Sequence, residues 1–278
     1  MQKVEMRSSL DMIAGAQEIR SITDSGVVFS ICTLVNDVQS YRNMLNSFLE
    51  AGFGYADCEY IYIDNASSTT YDAYEGLNKA ISKSRGKFII LCHQDVLLRF
   101  DNRADLTQRL NEIEKNMPNW AVAGNAGGGQ LLGNLCIRIT DPHGQDVAQG
   151  DFPQQVSSLD ENFIVLKKSA NLGFSNDLSG FHLYGTDICL IAHTRGYECC
   201  VIDFHLEHLS PGTCDASFID SRRRLIDKYR RAFAGRTIQT TCTRFYLSGS
   251  WVLSRLVNAT PVLKLIRKLQ RVRRGIHL

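Results

Sequence analysis

The sequence predicts an α/β fold, a mainly parallel central sheet flanked by helices. Two apolar runs, Glu59–Ile63 and Lys87–Cys92, lead into acid-bearing turns, Asp64-Asn65-Ala66-Ser67-Ser68 and His93-Gln94-Asp95. A helical stretch separates them, so they read as neighbouring parallel strands of one βαβ unit. Later runs at 135–139 and 163–166 add irregular β structure, which argues for an antiparallel addition to the sheet. In open α/β sheets, ligands bind beyond the carboxyl ends of the strands. Two acids and a histidine at such ends suit a charged ligand, of the kind a nucleotide with a divalent ion presents.

The remaining elements follow in order. Residues 1–25 read as a leader helix or strap without chemistry-bearing residues. Val27 to Leu34 is a buried strand. Tyr41, Leu45, Phe48 and Leu49 recur at helical spacing, and Gly52 stops that helix. The loop from Asp64 to Thr70 is rich in capping residues, and the helix from Tyr74 to Ser84 ends at Arg85-Gly86. Asp105 to Lys115 is an amphipathic helix stopped near Pro118. Trp120 to Ala123 is a short strand that runs into Gly127-Gly128-Gly129. Leu135 to Ile139 and a strand near Val147 flank Asp141-Pro142-His143-Gly144, a hairpin turn in which His143 is a turn residue. Phe163 to Leu166 is a strand, Tyr184 to Arg195 a helix, and Cys199 to Phe204 the last strand. Beyond Pro211-Gly212 two helices are expected, over roughly 215–235 and 248–274. The chain thus divides into a leader (1–25), an α/β catalytic domain (26–212) and a basic helical extension (213–278).

With 278 residues, 44% of them hydrophobic and 22% charged, the chain can bury the core of an ordinary globular protein. It has no apolar run of the roughly eighteen residues that a spanning helix needs, and its N-terminus lacks the basic-then-apolar layout of a secretory signal. Nine cysteines without a CxxC pair read as reduced, mostly buried side chains in a cytoplasmic protein. The formal charge of +2 hides a polarity, +14 from Ser221 onward and −12 before it. Apolar residues at 262, 263, 265, 266, 269 and 272, with cations between them, describe a basic amphipathic helix over 262–274. Such a helix suits an anionic membrane surface and places the protein peripherally on the inner face of a membrane; the alternative is packing on the acidic body. Aromatic interleaving is sparse, so no nucleic-acid partner is expected. Trp120 and Trp251 read as packing residues more than sugar platforms; the alternative for Trp251, near the tail, is a membrane surface.

No GxGxxG follows the first strand and no GxxxxGK(S/T) occurs, which disfavours the common dinucleotide and P-loop sites. The glycines at 127–129 precede no helix and read as a turn. His93 and Asp95, two residues apart at a strand end, point to one side. They can ligate an ion or, in the case of Asp95, cap the following turn. Asp64 carries the same two readings, ligand contact or a cap on the loop amides.

Taken in order, Leu77-Asn78-Lys79-Ala80, Ser84-Arg85-Gly86-Lys87-Phe88-Ile89 and Leu91-Cys92-His93-Gln94-Asp95 resemble the donor half of the family 2 glycosyltransferases of GT-A fold. These enzymes have an asparagine-bearing helix, an Ala-Arg-Gly turn, a strand and a DxD. Ile63-Asp64-Asn65-Ala66-Ser67-Ser68 resembles their second-strand signature. Leu183-Tyr184-Gly185-Thr186-Asp187-Ile188-Cys189-Leu190, Gly196-Tyr197 and His205-Leu206-Glu207-His208 resemble their Glu-Asp motif, helix and distal histidine. The variants here are similar to the streptomycin-biosynthesis-protein-like branch, and the resemblance spans roughly 26–212.

The resemblance implies a GT-A nucleotide-diphospho-sugar transferase fold and an inverting transfer of a sugar from a nucleotide donor, UDP favoured, to a glycan or lipid-linked acceptor in cell-surface polysaccharide synthesis. It implies Thr33, Asp64, Asn65, Arg85, His93, Gln94 and Asp95 around the donor. Mn²⁺ or Mg²⁺ would be held by Asp95, His208 and His93, with His205 the competitor for the place of His208. Asp187 would be the general base that deprotonates the acceptor hydroxyl, and His182 and Tyr184 would line the acceptor pocket. Two departures stand out. His93 replaces the first Asp of DxD, so an imidazole takes a carboxylate's place. Thr186 replaces the Glu of Glu-Asp, leaving one carboxylate, enough for a displacement that needs a single base. The competing readings are an inactive sugar-nucleotide-binding or scaffold protein and a nucleotidyltransferase; the latter lacks its glycine-rich loop at Thr33-Leu34-Val35-Asn36-Asp37.

Overall fold

The computed structural model describes residues 26–129, 131, 133–212 and 214–262. The leader over 1–25 and the tail helix beyond residue 262 lie outside the described residues. The chain divides into two units, the first ending at Gly212 and the second beginning at Thr213.

In the first unit, β1 (Phe29–Val35), α1 (Val38–Glu50), β2 (Cys58–Asp64), α2 (Ala73–Lys83) and β3 (Phe88–Cys92) form successive βαβ crossovers. There follow β4 (Val96–Leu97), α3 (Arg103–Asn116), β5 (Trp120–Gly124), β6 (Ala126–Gly128), β7 (Leu135–Thr140), β8 (Asp146–Gln149), β9 (Gln154–Gln155), β10 (Ser158–Leu159), β11 (Phe163–Lys167), α4 (Tyr184–Thr194), β12 (Glu198–Val201) and β13 (Leu206–His208). The central sheet has the order β2-β1-β3-β11-β5-β12-β9. β2, β1 and β3 are mutually parallel, β11 runs antiparallel to β3 and β5, and β12 is parallel to β5. This is the expected mainly parallel α/β sheet with an antiparallel addition, flanked by helices.

The apolar runs of β1, β3, β5 and β11 are buried almost throughout, as strands covered on both faces must be. Phe29, Ile31, Ile90, Val165 and Trp120 join Met44 and Phe48 of α1 and Leu106, Leu110 and Ile113 of α3 in one core. Trp120 stacks on Phe88 at 5.9 Å, the packing role expected of it. Side-chain caps fix the helix starts. Asp37 accepts from Ser40 N, Asp72 from Glu75 N, and Asn102 forms a capping box with Asp105. All nine cysteines are free, and seven of them are buried.

A second sheet, β10-β6-β7-β13-β4 with β8 on β7, holds the part that the sequence reading resolved least. β5 runs through Asn125 directly into β6, so one strand path serves both sheets; the buried Asn125 side chain donates to Arg138 O at 3.0 Å. The stretch expected as one strand to Phe204 ends at Val201, and a new strand, β13, follows. β13 pairs parallel with β7 and antiparallel with β4, His208 opposite Val96.

The second unit contains α5 (Ala216–Ala232), a hairpin of β14 (Arg236–Gln239) and β15 (Arg244–Leu247), and α6 (Trp251–Val257). Two helices were expected and the hairpin was not. Gly235 ends the helical stretch, and the β-branched and aromatic residues Thr237, Ile238, Phe245 and Tyr246 pair across the turn. Of the helix expected over 248–274, the described residues show α6, a break at Asn258 and Ala259, and helix again at 260–262; the rest lies outside the described residues. At the break the Asn258 side chain binds Tyr246 N and O, at 2.8 Å each. Trp251 is 70% exposed, which departs from packing and leaves the surface alternative.

Gly86 measures how tightly α2 and β3 seat on β1. Its N–H donates to Ser30 Oγ at 2.8 Å, and an added Cβ would lie 2.5 Å from Ser30 N. Gly86→Ala is expected to lower stability by about 1–3 kcal/mol, read as a lower urea midpoint at unchanged slope. An unchanged midpoint contradicts this packing.

Candidate active site

The carboxyl ends of β2, β1 and β3 form one edge. Gln94 knits it together. Its Oε1 accepts from Asn36 N and Asp37 N, both at 2.9 Å, and its Nε2 donates to Asn36 Oδ1. Beyond Gln94 the chain turns, and β4 meets the returning β13. Leu209 N donates to Asp95 O at 3.0 Å, which carries His208 alongside Asp95.

Three side chains converge there. His208 Nε2 lies 3.4 Å and His93 Nδ1 4.0 Å from Asp95 Oδ1, with the two rings 5.5 Å apart. One donor atom from each of the three falls within 4.8 Å of the others. Ser210 Oγ donates to Asp95 Oδ2. Burial opposes the Asp95 charge, but the His208 ring, the Ser210 hydroxyl and the His93 ring together hold its carboxyl well below the usual carboxylate range. Burial, followed by the neighbouring His208, lowers the His93 pKa against the pull of Asp95 and Asp160. His208 Nε2 is buried without a hydrogen-bond partner. An ionised carboxylate, a neutral imidazole and an orphaned imidazole nitrogen at this spacing fit a divalent ion, and two histidines with one carboxylate suit Mn²⁺ better than an all-oxygen ion. His205, the competitor for the metal, is committed elsewhere. It bonds Thr140 Oγ1 at 2.8 Å and stacks on Phe100 at 3.9 Å.

His93 is tied down on its far side. Its Nε2 meets Tyr184 Oη at 2.8 Å, its N–H donates to Asn162 O at 3.0 Å, and Tyr184 Oη also donates to Glu161 O at 3.2 Å. Asp160 and Glu161 precede β11, whose antiparallel course brings them to the edge occupied by His93. The Glu161 carboxylate accepts from Gly185 N at 3.2 Å in the first turn of α4. Burial first, and Asp160 second, push its pKa up to about 8, against the hydrogen bonds of Gly185 and Leu183. Sequence reasoning missed this acidic pair. The available signal was two carboxylates immediately before an antiparallel strand.

Other expected site residues are placed differently. Asp64 is exposed on the same edge, and its Oδ1 accepts from Ala66 N at 2.9 Å. Asn65 closes its own loop, accepting from Thr70 N at 2.8 Å and donating to Tyr71 O at 2.9 Å. The Thr33 hydroxyl is buried without a hydrogen-bond partner. Arg85 departs from the expectation. It holds Glu59 through its backbone N–H at 2.6 Å and through Nε and a terminal nitrogen at 2.8 Å each. Glu59 pairs with Ser30, whereas Asp64 pairs with Val35, so Arg85 sits at the amino edge, about 15 Å of strand away from the site.

Asp187 also departs. It is fully buried on α4, with Oδ2 accepting from Ser175 N at 2.8 Å and Oδ1 from Ser175 Oγ at 2.7 Å, so it anchors the segment before α4. Thr186 is engaged by Ser158 at 2.7 Å. Tyr184 is 4% exposed and lies beneath His93, so it does not line an open acceptor pocket. His182 is partly buried, and its carbonyl accepts from Tyr74 Oη at 3.0 Å.

No protein-family model matches the chain. A protein of Fuscovulum blasticum described as "ATP synthase subunits region ORF 6" is 33% identical over 237 residues, covering 84% of this chain and 95% of that protein. The chain belongs to the family of that protein, whose description states no activity. Among solved structures, Staphylococcus aureus TarS 1–349 in complex with UDP-GlcNAc is similar at 12% identity over 73% of this chain and 67% of that one, with a TM-score of 0.48. GalNAc-T7 with UDP, GalNAc and Mn²⁺ is similar at 7% identity over 72% of this chain, with a TM-score of 0.46; the chain spans 48% of it and 61% of TarS 1–349 without ligand.

Glu161 makes the fold sensitive to pH. Its carboxyl stays protonated in the folded chain up to about 8, whereas the unfolded chain loses that proton near 4.5. The folded state therefore holds the extra proton between these values, and stability falls as pH rises through that window. Glu161→Gln is expected to remove this loss, so its melting temperature gains on the native chain from pH 5 to pH 8. A constant difference across that range contradicts the burial of this carboxyl.

Proposed function

We propose that the chain is an inverting glycosyltransferase of GT-A type that moves a sugar from a nucleotide-diphosphate donor to an acceptor hydroxyl. The observation that carries this is the convergence of His93, Asp95 and His208 at the carboxyl edge of β1–β3. His93, Asp95 and His208 would hold Mn²⁺ or Mg²⁺, which when bound neutralises charge on the departing nucleoside diphosphate. Asp64, exposed at the tip of β2, would meet the nucleoside, with Asn65 and Gln94 shaping the edge beside it and Thr33 beneath. We favour UDP as the donor nucleotide, on the sequence resemblance.

The proton acceptor is assigned to Glu161 in place of Asp187. Glu161 meets the first turn of α4 through Gly185 N; because burial lifts its pKa to about 8, only its ionised fraction would take the acceptor proton, so transfer should rise with pH toward that value. Asp187 is occupied by Ser175. That occupation also favours a second reading, a donor-binding protein without transfer activity; donor hydrolysis in Mn²⁺ separates the two.

The acceptor is proposed to be a glycan or lipid-linked carrier of cell-surface polysaccharide, reached from the inner face of a membrane. Among the described residues no helix is long and apolar enough to cross a membrane. Surface attachment is supported by the cationic sequence after Ser221 and by exposed apolar side chains at Ile219, Ile226 and Phe233 of α5 and Trp251 and Leu256 of α6.

A panel of UDP-, GDP-, CMP- and dTDP-sugars with and without Mn²⁺ is expected to raise the melting temperature by a few degrees for one donor, only with metal. Asp95→Ala and His208→Ala should abolish that rise, while Glu161→Gln keeps it and loses transfer. No rise with any donor sinks the proposal. In flotation, the chain should follow vesicles containing phosphatidylglycerol and leave neutral ones, and high salt should release it. Equal binding to both vesicle types removes the electrostatic attachment.

A further inference from the structure

We propose that Tyr184 is a positioning residue that locks the His93 imidazole as its Nε2–H tautomer and so presents the Nδ1 lone pair to the divalent cation. This rests on the cation reading of the cluster.

A tyrosine hydroxyl has one proton. Glu161 O, 3.2 Å from Tyr184 Oη, can only accept, and in the proposed arrangement it takes that proton. The phenol oxygen therefore faces His93 Nε2, 2.8 Å away, as an acceptor, and the ring must supply the proton from Nε2. A neutral imidazole carries a single N–H, so Nδ1 keeps its lone pair. Nδ1 is the nitrogen on the Asp95 side, 4.0 Å from Oδ1. That distance is too long for a hydrogen bond and suits two ligands of one ion.

The lock is rigid because both partners are held. The Tyr184 ring packs edge-on against Phe174 at 5.6 Å and against Tyr74 at 6.4 Å. Tyr74 is fixed in turn through its hydroxyl to His182 O at 3.0 Å. His93 N–H is held by Asn162 O at 3.0 Å, one residue from the carbonyl that takes the Tyr184 proton. Hydrogen-bonded partners of metal-binding histidines set ring orientation and tautomer, and their loss typically weakens binding by about 10- to 100-fold.

Tyr184→Phe keeps the ring and removes only the hydroxyl. In ¹⁵N-histidine NMR of the metal-free full-length chain, His93 is expected to be protonated at Nε2 and bare at Nδ1; in the variant it should become a mixture of tautomers. In a titration with Mn²⁺ followed by the EPR signal of the free ion, the variant should bind about 10- to 100-fold more weakly than the native chain. The proposal is overturned if native His93 carries its proton on Nδ1, or if the variant keeps the native tautomer and Mn²⁺ affinity while only its melting temperature falls. A native chain that binds no Mn²⁺ at millimolar concentration refutes the cation reading instead, and the NMR comparison still decides the tautomer lock.

Discussion

The site depends on one strand pairing. β13 lies antiparallel to β4, and this short ladder sets His208 and Ser210 against Asp95, residues 115 positions apart in the case of Ser210. Without it, the turn after β3 would present an HxD of no evident purpose. With it, an ionised carboxylate and a second imidazole meet at the carboxyl edge of the parallel strands. The pairing costs loop-closure entropy. It is supported by β7, which holds β13 in parallel register through Leu206 and Glu207, and by the buried Phe204 and Leu206 beneath it.

The central sheet was legible because burial on both faces writes itself into sequence as unbroken apolar runs. Phe29–Val35, Phe88–Cys92 and Phe163–Lys167 could be read this way, and the helices between them by apolar spacing; their caps, Asp37, Asp72 and Asn102, went unread, so each helix starts a little earlier than expected. The second sheet was harder. Its strands are short, partly exposed and fixed by partners far away in the chain, so β13, just past the expected last strand, was not read as a strand. The hairpin at Arg236–Leu247 falls in the stretch left between the two expected helices, where two four-residue strands without a buried residue leave no apolar run to read.

The site itself was legible in types more than in roles. His93, Asp95 and His208 meet as their motif positions implied, and His205 is excluded by Thr140 and Phe100. Arg85 and Asp187 are charged residues within motif-like strings, and in the fold Glu59 and Ser175 engage their side chains. Sequence does not show which carboxylates are already satisfied. Glu161 went unread for the opposite reason. Its character comes from burial beside Asp160 at a helix start, and neither circumstance is visible in the residues around it.

The path of β5 through Asn125 into β6 joins the two sheets by one unbroken segment. His93 leaves the end of a strand in the first sheet, whereas Asp95 and His208 belong to the rim of the second. A charge clasped between them would act as a rivet across the seam. Any flexing of one layer about the Asn125 pivot would then be felt directly as a change in the spacing of the three donors.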